Sequence, residues 1–407
     1  MFENIIGHEG PVARLRAEIT GDRLPAALLF HGPQYTGKTT IALELARAVT
    51  CERGTAEWTC DCHSCRQHRL LVHPYTLLLG THYFLQEITV CAEALKAHPS
   101  KGTRFLFLRA VRKLLRRFDE VLWQGQENRV SSVSTAVREV AEMIEDLDPR
   151  FPLPEGAELE KLTERILSRS KKLASALPQD PVPIQAVRNV SFWAHMSGPR
   201  KVVIVDAADR LNSGTRNALL KTLEEPPPEV TFVLLATQRS AVMPTILSRV
   251  RQYEVSSRST DEQCEVVRRV FRESELECGS LREYFLTNGF SGSEPITSLA
   301  EAFIEAVVSP RTADGADSVA HVQQALQEMA DVHAFRYFFE EITTLLQRLL
   351  ANDVARAARP LVGMETIVRW RDLVAEASFR VESLNMNPST VCESLYFSMR
   401  QVDAGVH

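Results

Sequence analysis

The sequence predicts an α/β fold that is interrupted by a helical insertion and followed by helices. Short apolar runs, typical of buried strands, alternate with helical patterns near the start and in the middle of the chain. Between these parts, residues 82–180 are charged and helical in pattern, with prolines at their exit. From about residue 258 the periodicity is helical nearly everywhere. The predicted strands are 26–31, 75–80, 202–205 and 232–236, and the helices beside them are 5–20, 38–49 and 215–223.

The composition is that of an ordinary globular chain. The 407 residues are 44% hydrophobic and 24% charged, which excludes a collagen, a disordered tail protein and a small disulfide scaffold. A net charge of -5 argues against a protein that coats DNA by bulk positive charge. No apolar run approaches the ~18 residues of a membrane span, and the first residues lack the features of a signal peptide. We therefore expect a cytoplasmic protein without a membrane partner.

A phosphate-binding loop is predicted between the first strand and its helix. Residues 32–39 read G-x-x-x-x-G-K-T, in which backbone N–H groups and a helix N-terminus surround phosphates. Lys38 would contact the β- and γ-phosphates of ATP, and the Thr39 hydroxyl would hold Mg²⁺. The alternative is a loop kept as scaffold without a nucleotide, because Tyr35 stands where a small residue would ease wrapping.

The strand at 202–205 ends at Asp206, the pattern of a second nucleotide half-site in which an aspartate holds Mg²⁺ through water. A hydrolysing ATPase usually places a glutamate next, to polarise the attacking water. Ala207 cannot act as a base, and Asp209 is expected to point elsewhere. An ordinary buried parallel strand is the alternative interpretation.

Four of the eight cysteines fall within fifteen residues. Because a reducing cytosol disfavours disulfides, the cluster predicts a metal site. Four thiolates at short spacings suit a closed, structural Zn²⁺ site. A set of reduced thiols is the alternative, and His63 or His68 could replace one cysteine. The predicted ligands are Cys51, Cys60, Cys62 and Cys65.

Several segments together resemble the AAA+ clamp-loader subunits of bacterial DNA polymerase III, the gamma/tau and delta-prime family. They are Asn4 to Glu9, the phosphate loop, the cysteine cluster, the 202–206 strand, Asn217 to Pro227, Phe232 to Thr237 and Pro244 to Arg249. The resemblance covers 1–80 and 182–256 well. It implies a RecA-like AAA+ nucleotide domain with a zinc module and helical insertion, followed by a helical lid and a C-terminal helical collar for oligomerisation.

The domain boundaries implied by this resemblance are 1–256, 257–310 and 317–407. Its zinc module lies at 51–65, and its insertion, about 82–180, has no counterpart in the family pattern. The implied ATP and Mg²⁺ contacts are Gly32, Gly37, Lys38, Thr39, Thr40, Asp206 and Thr237.

The resemblance favours a delta-prime-type stator over a gamma/tau-type ATPase motor, which is the alternative. Ala207 replaces the catalytic acid, and the lid segment from Ser291 to Pro295 lacks the family's arginine. The chain is also expected to lack the tail of a tau subunit. Arg249 is implied as an arginine finger toward a neighbouring subunit's ATP. A solvated arginine at a helix end is the alternative.

The implied partners are gamma/tau and delta subunits in a hetero-pentamer, the sliding clamp and primed DNA. A third possibility is a nucleic-acid-binding AAA+ protein outside replication, against which the run Leu219 to Pro227 argues.

The insertion contains a strongly basic amphipathic stretch, residues 104–118. Its apolar positions recur at helical spacing, and cations cover the other face. Those cations could contact DNA phosphates or an acidic partner. The prediction we favour is a solvated helix in a small bundle packed on the nucleotide domain.

Overall fold

The computed structural model describes residues 1–80, 84–178, 182–273, 280–290, 294–309, 313–329, 334–355, 363–382, 384 and 386–404. The chain divides into two compact units, Met1–Tyr284 and Phe285–His407. The predicted lid at 257–310 and collar at 317–407 stay predictions. No helix in the described ranges is long and apolar enough to cross a membrane.

The first unit is built on a five-stranded parallel sheet. Its strands are β1 (Ala27–His31), β2 (Thr76–Leu79), β3 (Lys201–Val205), β4 (Val230–Ala236) and β5 (Arg251–Glu254), in the order β2-β3-β4-β1-β5. The four predicted strands are confirmed within two residues at each end. The sequence analysis missed β5.

Helices pack on both faces of this sheet, and the first unit contains others that pack on these helices. Within the first unit they are α1 (Glu9–Thr20), α2 (Lys38–Val49), α3 (His63–Arg69), α4 (Phe84–Ala97), α5 (Lys101–Leu115), α6 (Glu120–Trp123), α7 (Glu127–Glu145), α8 (Ala157–Ala176), α9 (Ile184–His195), α10 (Ser213–Glu224), α11 (Pro244–Leu247) and α12 (Thr260–Val266). The predicted helix at 38–49 is confirmed at both ends. The helix predicted from residue 5 begins only at Glu9, because Gly7 and His8 both adopt left-handed φ angles.

Successive residues of each central strand enter opposite cores. In β1, Leu28 and Phe30 pack with α1 and α2 side chains, whereas Ala27 and Leu29 pack with side chains of α9 and α10. Burial on both faces explains why these strands read as continuous apolar runs instead of alternating patterns.

The second unit is helical in every range that the structure describes. After α13 (Leu281–Asn288), at the boundary of the two units, it contains α14 (Ile296–Val308), α15 (Ala313–Glu328), α16 (Ala334–Ala355), α17 (Met364–Glu382) and α18 (Pro388–Ala404). Trp370 on α17 is fully buried and donates its indole N–H to the Met399 carbonyl on α18 at 2.8 Å.

The insertion is helical, as predicted, but its cations do not face solvent as the favoured prediction stated. Arg109 on α5 donates to the carbonyls of His68 and Arg69, both at 2.9 Å, and Arg112 donates to Leu70 at 2.9 Å. These carbonyls belong to the C-terminal turn of α3, where a helix leaves carbonyls without intrahelical partners. The basic face of α5 therefore caps another helix.

The same face also covers the open edge of the sheet. Arg116, just after α5, donates to the carbonyls of His73 and Thr76, and Arg117 donates to Leu78 at 2.9 Å. Because β2 is an edge strand, its outward carbonyls have no strand partner. The arginines that suggested a DNA contact thus satisfy backbone groups inside the protein.

Candidate nucleotide and metal sites

The predicted phosphate loop joins β1 to α2, as the sequence analysis expected. Gly37 caps α2 in a left-handed conformation with φ 85°, and the first-turn N–H groups of Lys38, Thr39 and Thr40 have no intrahelical partner. Gly32 has φ 149°, and a Cβ there would lie 2.0 Å from the Val255 carbonyl oxygen. Only glycine fits at position 32, because the backbone of the chain after β5 passes against it.

Three other elements hold the loop. His8 Nε2 donates to the Thr36 carbonyl at 2.8 Å, and Arg258 donates to the Tyr35 carbonyl at 3.5 Å and to the Ile6 carbonyl at 2.8 Å. Tyr35, with a left-handed φ of 59°, donates its hydroxyl to Gln86 on α4 at 2.9 Å. The residue that seemed too large for this loop is therefore bonded to the helix that follows β2.

Lys38 lies over its own loop and beside acidic side chains. Its Nζ donates to the Gly32 carbonyl at 2.7 Å and to the Pro33 carbonyl. Burial lowers the pKa of Lys38 to about 8, although the charges of Asp206 and Asp209 act in the opposite direction. The ammonium group is thus partly desolvated, in the position where a phosphate would be its strongest partner.

Asp206 follows β3, and Thr237 follows β4, so both lie at the sheet edge that carries the phosphate loop. Ligands of open α/β sheets bind at this carboxyl edge. Asp206 Oδ1 accepts the Ala207 N–H at 2.8 Å. Asp209 Oδ2 accepts the backbone N–H groups of Thr237 and Gln238 at 2.9 and 3.0 Å. Asp209 therefore orders the turn after β4, and Ala207 presents only a methyl group.

The four clustered cysteines converge between α2 and α3. Their sulfur atoms all lie within 4.8 Å of one another, and those of Cys51 and Cys60 are 3.8 Å apart. A tetrahedral ion with metal–sulfur bonds of ~2.3 Å requires sulfur separations of ~3.8 Å. The cluster therefore has the dimensions of a four-thiolate metal site and could hold a metal ion.

Backbone groups and one arginine polarise this cluster. Burial alone would raise the pKa of Cys62, but N–H groups of Cys65 and Glu52 lower it to about 7. Arg47 on α2 donates to Cys65 Sγ at 3.4 Å and to the carbonyls of Ala56 and Glu57. Arg47 is 2% exposed and paired with Glu44. The bonds of Arg47 therefore connect α2, the helix of the phosphate loop, to the cysteine module.

The two histidines considered as substitute ligands lie outside the cluster. His68 donates from Nε2 to the Thr50 hydroxyl at 2.7 Å and stacks on His73, with ring centroids 4.2 Å apart. The Thr50 hydroxyl itself donates to Ala46. His63 begins α3, and its backbone N–H faces Glu52 at 3.3 Å.

Arg249 lies between α11 and β5, at the sheet edge opposite the phosphate loop. Its guanidinium donates to Glu224 Oε1 at 2.7 Å and to the Thr245 carbonyl at 2.8 Å. Its side chain is 34% exposed. Arg251, two residues after Arg249, pairs with Leu28 on β1, and Leu28 lies four residues before Gly32 of the phosphate loop. Along the strands, Arg251 and the phosphate loop are therefore about 13 Å apart.

Sequence reasoning assigned no role to several residues that shape these sites. His8 lies in a segment that carried the resemblance, but its bond to Thr36 has no local sequence signal. Arg258, Gln86 and Arg47 are distant in sequence from their partners. The predicted lid motif at Ser291, Gly292 and Ser293 lies outside the described residues.

Comparisons with known proteins agree with this arrangement. A family profile described as "DNA polymerase III, delta subunit" matches residues 7–98 and 183–259. The DNA polymerase III subunit delta' of Pseudomonas aeruginosa is 39% identical over 77 residues, 18% of this chain and 24% of its own length. The subunit tau of Bacillus subtilis is 32% identical over 254 residues, 62% of this chain and 28% of its own. The chain thus spans about a quarter of the length of each of these two relatives.

A solved structure of a gamma subunit-related protein from Thermotoga maritima is 18% identical, with a TM-score of 0.27, over 60% of this chain and 90% of that one. The phosphate-loop sequence and the parallel sheet define the class as an α/β protein with a loop of the nucleotide-binding type. Over the two ranges of the profile, the chain is similar to the gamma, tau and delta-prime clamp-loader subunits of DNA polymerase III. The profile leaves out residues 99–182, so the insertion beyond α4 is additional to the shared pattern.

Proposed function

We propose that this chain is a delta-prime-type stator of a DNA polymerase III clamp loader. It would assemble with gamma/tau and delta subunits in a pentamer in the cytoplasm and help to load the sliding clamp onto primed DNA. Its collar would join the subunits, and its phosphate loop would serve mainly as scaffold. Its contribution to ATP hydrolysis would be Arg249, supplied to a neighbouring subunit.

The observation that carries the proposal is Ala207, which stands beside Asp206 where a hydrolysing site needs a base. Its methyl group accepts no proton, and Oδ2 of the nearby Asp209 is engaged by the N–H groups of Thr237 and Gln238. Without an acid to orient the attacking water, a bound ATP would be held without being hydrolysed efficiently. Gly32, Gly37, Lys38, Thr39, Thr40, Asp206 and Thr237 could still hold ATP and Mg²⁺.

The position of Arg249 supports a role in trans. It lies on the edge from which the strands begin, more than ~13 Å along the strands from its own phosphate loop. Its pairing with an exposed Glu224 leaves it available at the surface. A guanidinium from a neighbour neutralises charge that develops on the γ-phosphate, which is a contribution of about 10³–10⁵ in rate in enzymes of this type.

We further propose that Cys51, Cys60, Cys62 and Cys65 bind a structural Zn²⁺. The sulfur separations suit a tetrahedral ion, and four protein ligands leave no open position for catalysis. The ion would stabilise the turn between α2 and α3.

The alternative function is a gamma/tau-type ATPase motor of the same complex. The intact phosphate loop favours it, because Lys38 and the α2 N-terminus keep the geometry of a nucleotide site. Ala207 disfavours it. The two functions predict opposite effects of substitution at Lys38 and Arg249.

The test compares ATP turnover of the reconstituted clamp loader that carries Arg249→Ala or Lys38→Ala in this chain. The stator hypothesis expects Arg249→Ala to abolish the share of turnover contributed by one interface, and Lys38→Ala to have little effect. Arg200→Ala is the matched control, because Arg200 is also exposed at the strand-start edge and paired with a glutamate. A silent Arg249→Ala with a severe Lys38→Ala would show instead that the chain is a motor.

A further inference from the structure

The insertion carries an open groove that the clamp-loader fold does not need. It has a volume of about 540 Å³ and is lined by Glu145, Asp146, Phe151, Pro154, Glu158 and Leu162. The groove lies between the end of α7 and the first turns of α8, within the part of the chain that the family profile leaves out. Phe151 is 56% exposed there.

The loop between α7 and α8, which forms one side of the groove, is held by hydrogen bonds from a buried arginine. Arg104 on α5 is 6% exposed and donates to the carbonyls of Leu147 at 2.6 Å, Phe151 at 2.9 Å and Asp148. The Arg150 guanidinium lies 5.8 Å from the ring centroid of Phe151. Because its backbone is anchored, the groove exists before any partner arrives, which lowers the entropic cost of binding.

The groove combines an apolar floor with three carboxylates that form no close ion pair, although the charge of Glu145 acts on Arg112 and Arg150. Within the described residues, Glu145, Asp146 and Glu158 have no ion pair within 4 Å, whereas Asp148 is paired with Arg150 at 2.8 Å. Residues 139–164 contain nine acidic side chains and two basic ones. Arg109 and Arg112 on α5 donate to backbone carbonyls at the end of α3 and form no close ion pair with these carboxylates.

We propose that this groove docks a basic peptide segment of a partner protein, with one apolar side chain of that segment against Phe151, Pro154 and Leu162. Lysine or arginine side chains of the segment pair with Glu145, Asp146 and Glu158. Charge complementarity selects this occupant, since the same carboxylates repel the phosphates of DNA or RNA. An apolar anchor in a pocket with a charged rim is the usual arrangement of a peptide-binding hot spot.

The experiment measures fluorescence anisotropy of labelled ten-residue peptides with the purified full-length chain. The peptides carry four lysines and a central leucine, phenylalanine or tryptophan in a glycine–serine background. Control peptides replace the lysines with glutamate or the anchor with serine. The protein variants are Phe151→Ser and the double variant Glu145→Gln/Glu158→Gln, with Glu160→Gln/Glu164→Gln as the matched control on the exposed face of α8.

We expect saturable binding of at least one anchored lysine peptide. Each groove variant should weaken it about tenfold or more, and the control variant less than about twofold. Raising NaCl from 50 to 300 mM should also weaken it, because the pairs are exposed. Absence of saturable binding by all three anchored peptides, or equal binding of the anchor-free peptide, would overturn the proposal.

Discussion

Replacing Arg109 with methionine tests whether the basic face of α5 serves the fold or a nucleic acid. Methionine keeps the length and apolar stem of arginine but removes its donors. The substitution leaves the His68 and Arg69 carbonyls at the end of α3 without the two 2.9 Å hydrogen bonds they now accept. It also removes a cation from the negative end of that helix dipole.

The magnitude follows from the number of bonds and the exposure of their acceptors. A hydrogen bond to a charged group contributes about 1.5–3 kcal/mol, so two set an upper limit of about 3–6 kcal/mol. Arg69 is half-buried, so water can replace part of this interaction. We therefore expect a loss of about 2–3 kcal/mol in the local stability of the cysteine module. A loss of ~2 kcal/mol raises the open fraction about 30-fold.

The assay is hydrogen–deuterium exchange of peptides covering residues 63–79, together with the affinity of the full chain for primed DNA. Exchange by local opening reports stability segment by segment, which suits a chain of two units better than a global melt. Arg138→Met is the matched control, since Arg138 lies on α7 of the insertion, is 72% exposed and faces Glu142 at 3.9 Å. The control should change exchange by less than about twofold.

The two possible roles of Arg109 predict different results in these two measurements. If Arg109→Met exchanges like Arg138→Met but binds primed DNA more weakly, the arginine faces a nucleic acid and not the carbonyls of α3. Faster exchange with unchanged DNA affinity supports the docking of α5 on the end of α3.

Three further predictions concern the metal, the histidines and the phosphate loop. About one equivalent of Zn²⁺ should copurify with the chain, as measured by metal analysis. The zinc should be lost in Cys65→Ser and retained in the control variant Cys264→Ser. Wild-type protein that copurifies without zinc would contradict the proposed site. Burial, reinforced by nearby cations, lowers the pKa of His68 to about 2 and of His73 to about 4. Below pH ~6.5 the unfolded chain therefore binds more protons than the folded chain, so the free energy of unfolding decreases as the pH is lowered. For each of the two histidines, the decrease approaches on the order of 1.4 kcal/mol per pH unit. His73→Gln should reduce this dependence in denaturant titrations between pH 6.5 and 5. An unchanged slope would refute the buried neutral state of His73. Gly32→Ala should destabilise by on the order of 3 kcal/mol or more, because its Cβ would meet the Val255 carbonyl. Gly10→Ala on α1, where a Cβ would have open space, should leave stability unchanged or raise it by up to about 1 kcal/mol in the same titration.

The central sheet could be predicted because its strands are buried on both faces. A continuous apolar run such as 202–205, downstream of a phosphate loop, is typical of a buried parallel strand. The fifth strand was missed because only Tyr253 of Arg251–Glu254 is buried, so no run or clear alternation marks it. Its place is set by pairing with β1, which is a tertiary contact that local sequence does not encode.

The sites were predictable where their residues are close in sequence. The phosphate-loop pattern and the Cys51 to Cys65 cluster lie within short segments, so the sequence shows their residues together, whereas the bound nucleotide and metal stay predictions. The basic face of α5 was interpreted wrongly because an arginine bound to carbonyls and an arginine in solvent produce the same helical pattern. Only the position of α3 and β2, about 40 residues earlier in sequence, distinguishes the two.

The proposed function depends on the phosphate loop and on Arg249, which lie at opposite edges of one sheet and can be substituted independently. The strands are parallel, so every strand end that shapes the phosphate site lies on one edge and Arg249 lies on the other. Sites more than ~10 Å apart without shared partners act additively. Under the proposed function, alanine in place of a base at position 207 therefore places no strain on Arg249, whose contacts are Glu224, Thr245 and Ser248. A chain with this arrangement can therefore lack ATP hydrolysis at its own phosphate loop and still supply Arg249 to a neighbouring subunit. The described contacts of Arg249 include no residue of the phosphate loop.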